Sequence, residues 1–258
     1  MRGDKKRITE ANRLKDALEK SYQLRIKRAR QLIIDEFIVL IKQNNIILPE
    51  NLKKEFVKTF QSISQEQAEK VINTFSRSSF KDLKPILGAL SVLERVTIER
   101  SLKDVFADRV LKKRTKLITD NFFKEIQLIV NRGIKADKPI LELARDLREK
   151  ASLGTAKAQL IARTETQTAA NFGKFEGAKL RAQARGVDLE KRWIPTEGDR
   201  TRDIHAAMSG SSWIPLEEKF KVGGELLLYP GDPEGSARNI ANCRCDIVFR
   251  AVKRALQL

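Results

Sequence analysis

Scarcity marks this chain first. Its 258 residues hold one histidine, two cysteines, two tryptophans, two tyrosines and two methionines. The cysteines form a lone Cys-x-Cys pair, Cys243 and Cys245, which is no disulfide framework of a small secreted domain. No apolar run approaches the ~20 residues of a membrane span. The richest, QLIIDEFIVLI and ELLLYP, are short or interrupted by charge. The opening MRGDKKRITEANRLK has basic residues but no apolar core of a signal peptide. These absences predict a chain made in a reducing cytosol, without a membrane partner. Nucleotide-loop patterns are missing too. Gly223-Gly224 and Gly231-Asp232-Pro233-Glu234-Gly235 fit neither a Walker loop nor Gly-x-Gly-x-x-Gly, and read as turns. No Gly-x-Ser-x-Gly elbow supports a serine triad. A Cys/His nucleophile pair lacks a visible orienting group and oxyanion site.

Positive charge is what the chain has in excess. It carries 51 Lys/Arg against 34 Asp/Glu, a net +17, with 33% charged and 41% hydrophobic residues. The balance suits long exposed helices over a real core, and it attracts polyanions without a specific site. A basic run, RVLKKRTK, places Arg109, Lys112, Lys113, Arg114 and Lys116 within eight residues. Few aromatics interleave with it, so stacking on bases is not indicated. Contact with double-stranded DNA through phosphates, without sequence choice, is the reading.

Periodicity predicts a helical first part. Ile8, Ala11, Leu14, Leu18, Tyr22, Ala29, Ile33, Phe37 and Leu40 mark one helix over 8–43, ended by Asn44-Asn45 and Pro49. A short helix follows over 50–61. Ser64-x-x-Gln67 reads as a capping box opening another, and Lys84-Pro85 as the start of a new element. Residues 86–130 read as one or two helices stopped at Asn131-Arg132-Gly133. Asp137 is expected to cap a helix running to about Lys150. Thr155 is expected to cap the next, which ends at Gly186 and contains Gly173-x-x-x-Gly177, a sign of close packing. Beyond Gly186 the texture changes: strands at 191–195, 213–216, 226–229 and 246–252, a short helix over 199–208, and Gly/Pro turns between. The expected class is α+β: a long all-α N-terminal region over 1–135, a basic helical arm, then a small α+β module over 136–258.

The only histidine and both cysteines fall in that module. His205, Cys243 and Cys245 are three zinc-type donors, and Asp203, Asp232 or Asp246 would be a fourth. On an extended segment both thiols would point one way and Arg244 the other. The competing reading is two small buried thiols packed beside a hydrogen-bonded histidine, with no cofactor. Arg163 and Glu165 are two apart on a helix, so they do not face each other; anchoring that helix to the module is their expected use. Arg200 and Arg202 flank Thr201 just before His205, as carboxylate forks or as nuclease-like cations.

Taken together and in order, IARTETQTAANFGKFEGA (161–178), Trp193, RTRDIHAAMSG (200–210), the stretch from EKF to YPGDP (218–233) and ANCRCDIVF (241–249) resemble the Mu F-type minor head proteins of tailed bacteriophages. That family is also called the phage head morphogenesis family. The likeness covers roughly Pro139 to Val252, and its motif positions include Arg163, Glu165, Trp193, Arg202, Gly210 and Arg244. Many members carry a histidine shortly before the Cys-Arg-Cys pair, where Ile240-Ala241 stand here. The resemblance implies a virion component inside the head near the portal vertex, made in the host cytoplasm. It implies roles in procapsid assembly, genome packaging or DNA ejection, with portal, scaffolding and major capsid proteins as partners. It implies no catalytic activity. Some relatives carry C-terminal toxin or ADP-ribosyltransferase modules, and none is expected in a chain ending at Leu258. Two rival readings are a nuclease or toxin-like module using His205, and a cellular DNA-binding protein.

Overall fold

Among the described residues, six α-helices precede the first strand. The computed structural model describes residues 2–43, 47–151, 154–198 and 201–252. The helices are α1 (Arg2–Lys42), α2 (Glu50–Leu87), α3 (Val92–Phe106), α4 (Lys112–Lys135), α5 (Ile140–Asp146) and α6 (Thr155–Arg185). A small module with antiparallel strands follows: β1 (Asp188–Ile194), α7 (Asp203–Ala206), β2 (Ile214–Pro215), β3 (Phe220–Val222), β4 (Glu225–Leu227), α8 (Ala237–Ile240) and β5 (Asp246–Val252). The α+β class is therefore as expected. No helix among the described residues is long and apolar enough to cross a membrane.

Several expected breaks do not occur. Neither Ser64 nor Lys84-Pro85 starts an element, because α2 runs through both. Ser64 spends its hydroxyl inside the helix, donating to the Phe60 carbonyl at 2.8 Å and meeting Tyr22 Oη at 2.7 Å. Past Pro85 the helix continues because Leu83 and Leu87 bury with Ala178, Ala182 and Leu189. It stops where Gly88 turns to φ 72°. There Arg181 donates to the Gly88 carbonyl, and Arg185 to those of Leu87 and Ala89, satisfying groups a helix end leaves open. Gly133 does not stop α4. It admits Leu143, whose Cδ1 lies 2.6 Å from where a Cβ would stand. Asp137 does not cap α5; it sits in the left-handed region at φ 45°, and Pro139 precedes the helix without a side-chain cap. The helical run over 92–135 holds a π-helical turn at Ala107–Leu111, and a second such turn, Leu147–Ala151, extends α5. The stop expected at Asn44-Asn45 lies outside the described residues.

The N-terminal part of α1 departs from its apolar stripe. Leu14 is 43% exposed, while Lys15 is 1% exposed and bonds Gln167 Oε1 at 2.9 Å. A long-range polar partner here outweighs hydrophobic periodicity.

The chain forms two compact units, one of Met1–Leu18, Gln67–Phe106 and Arg163–Leu258, the other of Glu19–Glu66 and Ala107–Ala162. They interleave along the sequence, unlike a division at residue 135, since α1, α2 and α6 each contribute to both. The second unit is helical around Tyr22, Ile26, Phe37, Phe56, Phe60, Phe122 and Ile126. In the first unit β5 pairs with β1 over seven positions, from Asp188↔Val252 to Ile194↔Asp246, and β2 lies on the other side of β1. Alternation along β1 buries Leu189, Lys191 and Trp193. β3 and β4 form a hairpin turned by Gly223-Gly224, both at positive φ (57° and 86°), as a two-residue loop of matching twist requires.

Candidate functional site

One face of α6 organises the module. Thr164, Gln167, Thr168, Asn171 and Lys174 recur at helical spacing and are all buried. The first four bond backbone groups that the loops and β5 would otherwise leave unpaired. Thr164 Oγ1 accepts from the Asn242 N–H at 3.0 Å. Thr168 Oγ1 donates to the Gly231 carbonyl at 2.9 Å. Asn171 Nδ2 donates to those of Pro230 (2.7 Å) and Cys245 (3.1 Å), and Gln167 also donates to Cys245. Lys174 Nζ contacts both oxygens of Asp246, at 2.6 and 2.7 Å. Nearby, Gly173 permits α6 to approach α2, since a Cβ there would stand 3.2 Å from Ile72 Cα. The close packing expected around Gly173 is thus present.

The Cys-Arg-Cys segment is held by these bonds directly before β5. Asn242, at φ 60°, turns the chain into it and accepts from Arg163 at 2.6 Å. Both thiols then face His205, while Arg244 reaches the other way to Asp16 at 2.8 Å, the alternation of an extended chain. His205 Nδ1 lies 3.7 Å from Cys243 Sγ and 3.5 Å from Cys245 Sγ. The three donor atoms lie within 4.8 Å of one another, and the residues are 2%, 2% and 1% exposed. The imidazole comes from α7. Trp193 of β1 packs edge-on against it at 5.4 Å and against Phe220 at 5.6 Å.

The other face of the histidine is fixed by Asn239 of α8. Asn239 Nδ2 donates to the Val222 carbonyl at 3.2 Å, which turns its Oδ1 toward His205 Nε2, also at 3.2 Å. An amide oxygen accepts, so Nε2 carries the proton and Nδ1 presents its lone pair to the sulfurs. Electrostatics separates the thiols. The Cys243 thiol is pushed well above the ordinary range by the neighbouring Cys245 sulfur and by burial. Cys245 moves the opposite way: the bond from Cys243 holds its thiolate against burial, helped by the Thr196 N–H.

A cavity of about 320 Å³ opens beside the cluster, lined by Arg163, Arg202, Glu197 and Thr201 with His205 and both cysteines. Arg202 donates to the Ala241 carbonyl, so it serves the backbone, whereas Arg200 lies outside the described residues. Neither ring nitrogen of His205 is poised as a nuclease base, one being held by Asn239 and the other facing sulfur. Gly210 follows α7 in the left-handed region at φ 74°, and Glu165 is half-buried on α6. The carboxylates expected as a fourth ligand are used elsewhere. Asp232 accepts from the Leu228 and Glu234 N–H groups, Asp246 faces Lys174, and Asp203 is exposed.

The basic run lies in the helical unit. Arg109, Lys112, Lys113 and Lys116 are exposed and Arg114 is half-buried. Lys112 pairs with Asp108 at 2.8 Å and Lys116 with Asp120 at 2.6 Å, acids just outside the run.

Sequence reasoning missed Asn239, Gln167, Asn171 and Lys15. The polar stripe of α6 was the available signal: Thr, Gln and Asn at helical steps among alanines mark a face that bonds backbone.

A profile described as "Phage Mu protein F like protein" matches residues 124–248. The "Minor head protein GP7" of Bacillus phage SPP1 is 22% identical over 211 residues, 79% of this chain and 66% of that protein. An Enterococcus faecalis protein named "NAD(+)--arginine ADP-ribosyltransferase EFV" is 28% identical over 145 residues, 55% of this chain and 28% of that protein. "Uncharacterized protein YqbB" of Bacillus subtilis is 25% identical over 138 residues, 52% of this chain and 44% of that protein. The chain thus spans less than two thirds of each relative's length. No solved structure matches it.

Proposed function

We propose, starting from the match of residues 124–248 to the Phage Mu protein F-like family, that the chain is a minor head protein of a tailed phage. It acts at the portal vertex inside the head, in procapsid assembly, genome packaging or DNA ejection, and touches double-stranded DNA without sequence choice. The observation that carries this reading is the likeness to a phage minor head protein, which extends well beyond the family segment to 79% of the chain. The exposed basic side chains of 109–116 support the DNA contact, because cations beside packaged phosphates release counterions whatever the sequence. The transferase named among the relatives shares only 28% of its length with this chain, so its activity supports no enzymatic reading here.

The test has two arms. Purified particles are analysed by mass spectrometry, and the chain is captured with a portal ring from infected cells. The expected result is a few copies per particle and co-purification with the ring; particles lacking the chain would overturn the reading. For DNA, log affinity should fall linearly with log salt and be equal for unrelated sequences. Replacing Arg109, Lys112, Lys113, Arg114 and Lys116 by alanine should flatten the slope by about 3 to 4, somewhat below ~0.9 per cation because two lysines already face aspartates. An unchanged slope would remove the DNA contact from this segment.

A further inference from the structure

We propose that His205, Cys243 and Cys245 bind one Zn²⁺ ion whose fourth coordination position opens to the polar cavity beside them.

The geometry separates a metal from a hydrogen-bonded cluster. Nδ1 of His205 has a single lone pair in the ring plane, since Nε2 holds the proton given to Asn239. That lone pair faces two sulfurs almost equally, at 3.5 and 3.7 Å. One S–H can point at it well, but two cannot. A cation between the three atoms satisfies all of them. Tetrahedral zinc, with bonds of about 2.3 Å to sulfur and about 2.0–2.1 Å to nitrogen, sets the S···N edge near 3.6 Å. Both observed separations fall within about 0.1 Å of that edge. The third edge, between the sulfurs, is no longer than 4.8 Å and would stand at about 3.8 Å around the ion.

Charge favours it as well. Two thiolates and a neutral imidazole around Zn²⁺ sum to zero, which suits side chains no more than 2% exposed. The surroundings complete the ligand set as metal sites usually do. Asn239 fixes the tautomer and the plane of the ring, and is itself held by the Val222 carbonyl. The Thr196 N–H bonds Cys245, and the Gln167 and Asn171 amides hold the backbone of the same residue. Entry and the last ligand come from the cavity, which all three donor residues line. With Asp232 and Asp246 engaged elsewhere, the fourth donor is a water or a small anion, and Arg163 and Arg202 on the cavity wall favour the anion.

This assignment stands apart from the head-protein reading and is tested on the isolated chain. Protein purified without chelators is assayed for metals by plasma mass spectrometry, then stripped and reloaded with Co²⁺. Zinc at one equivalent is expected, and the cobalt form should show thiolate charge-transfer in the near ultraviolet with the strong visible bands of a tetrahedral site. His205→Ala, Cys243→Ser and Cys245→Ser should each abolish stoichiometric zinc. Asn239→Ala keeps every ligand and should weaken zinc about ten- to a hundredfold in chelator competition. If the cysteine variants fail to fold by circular dichroism, the wild-type cobalt spectrum and Asn239→Ala decide. No bound zinc after reloading, a cobalt spectrum without thiolate bands, zinc retained by all three ligand variants, or another ion native to the site would each overturn the proposal.

Discussion

Replacing Asp246 by asparagine isolates the electrostatics under β5. Asp246 is 2% exposed, and both of its oxygens lie within 2.7 Å of Lys174 Nζ. Lys15, also buried, bonds Gln167, and the Phe75 ring lies 5.5 Å from each ammonium. One carboxylate thus answers two buried cations. Burial alone would raise its pKa, but Lys174 and Lys15 hold it below the ordinary carboxylate value. Asp246→Asn keeps the shape and removes the carboxylate charge from between the two lysines. Breaking a buried pair costs about 3–5 kcal/mol. The loss is bounded, because Lys15, whose pKa burial lowers, can discharge instead. We expect a loss of about 3–4 kcal/mol in urea unfolding followed by far-ultraviolet circular dichroism, with an unchanged m value. The deficit should shrink as pH rises and Lys15, its pKa lowered by burial, deprotonates. It should also shrink in acid, since a depressed carboxylate stabilises above its unfolded pKa and loses that contribution as pH falls through the folded one. Adding Lys174→Met to Asp246→Asn should recover part of the loss. A deficit under about 1 kcal/mol at pH 7 would refute the reasoning.

Two further predictions concern buried positions. Lys191 is fully buried, donates to the Leu228 carbonyl at 2.7 Å, and has its pKa pulled from 10.5 to about 8 by burial, partly offset by Glu217 and Asp232. The folded state releases this proton first, so stability should rise from about pH 8 towards 10.5. Lys191→Met should weaken that slope and add about 1–2 kcal/mol at neutral pH, less than the full ~3 kcal/mol of the shift because the carbonyl bond is lost; an unchanged pH profile would contradict this. In the helical unit, Phe122 lies 4.9 Å from Phe56 and carries the Arg30 guanidinium 3.9 Å above its ring. Phe122→Ala should cost about 3–5 kcal/mol in thermal unfolding, and a loss below about 1 kcal/mol would remove it from the core.

What could be read from the sequence was local. The strand at 246–252 has the bounds expected of it, α6 ends at Gly186 as expected and includes Thr155 as its first residue rather than as its cap, and the two-glycine turn is a hairpin loop. Propensity misled where distant partners intervene. Ser64 and Pro85 look like boundaries, yet Tyr22 and the Ala178–Ala182 face keep α2 whole. Lys15 looks like a solvated charge, but its acceptor is 152 residues away. Two scarce residue types, histidine and cysteine, named the cluster; Asn239, an ordinary polar residue in a four-residue helix, carried no such mark.

The polar stripe of α6 also has a schedule. Gln167 and Lys174 meet acceptors 78 and 72 residues later in the chain. At ribosomal speeds of about 5–20 residues per second, the helix waits about 4–15 s with its amides and ammonium in water. The thiols are delivered in the same final stretch, so the nascent chain keeps them apart from the histidine until the closing strand arrives. A translation pause before residue 246 should therefore leave a helical chain whose module has not yet formed.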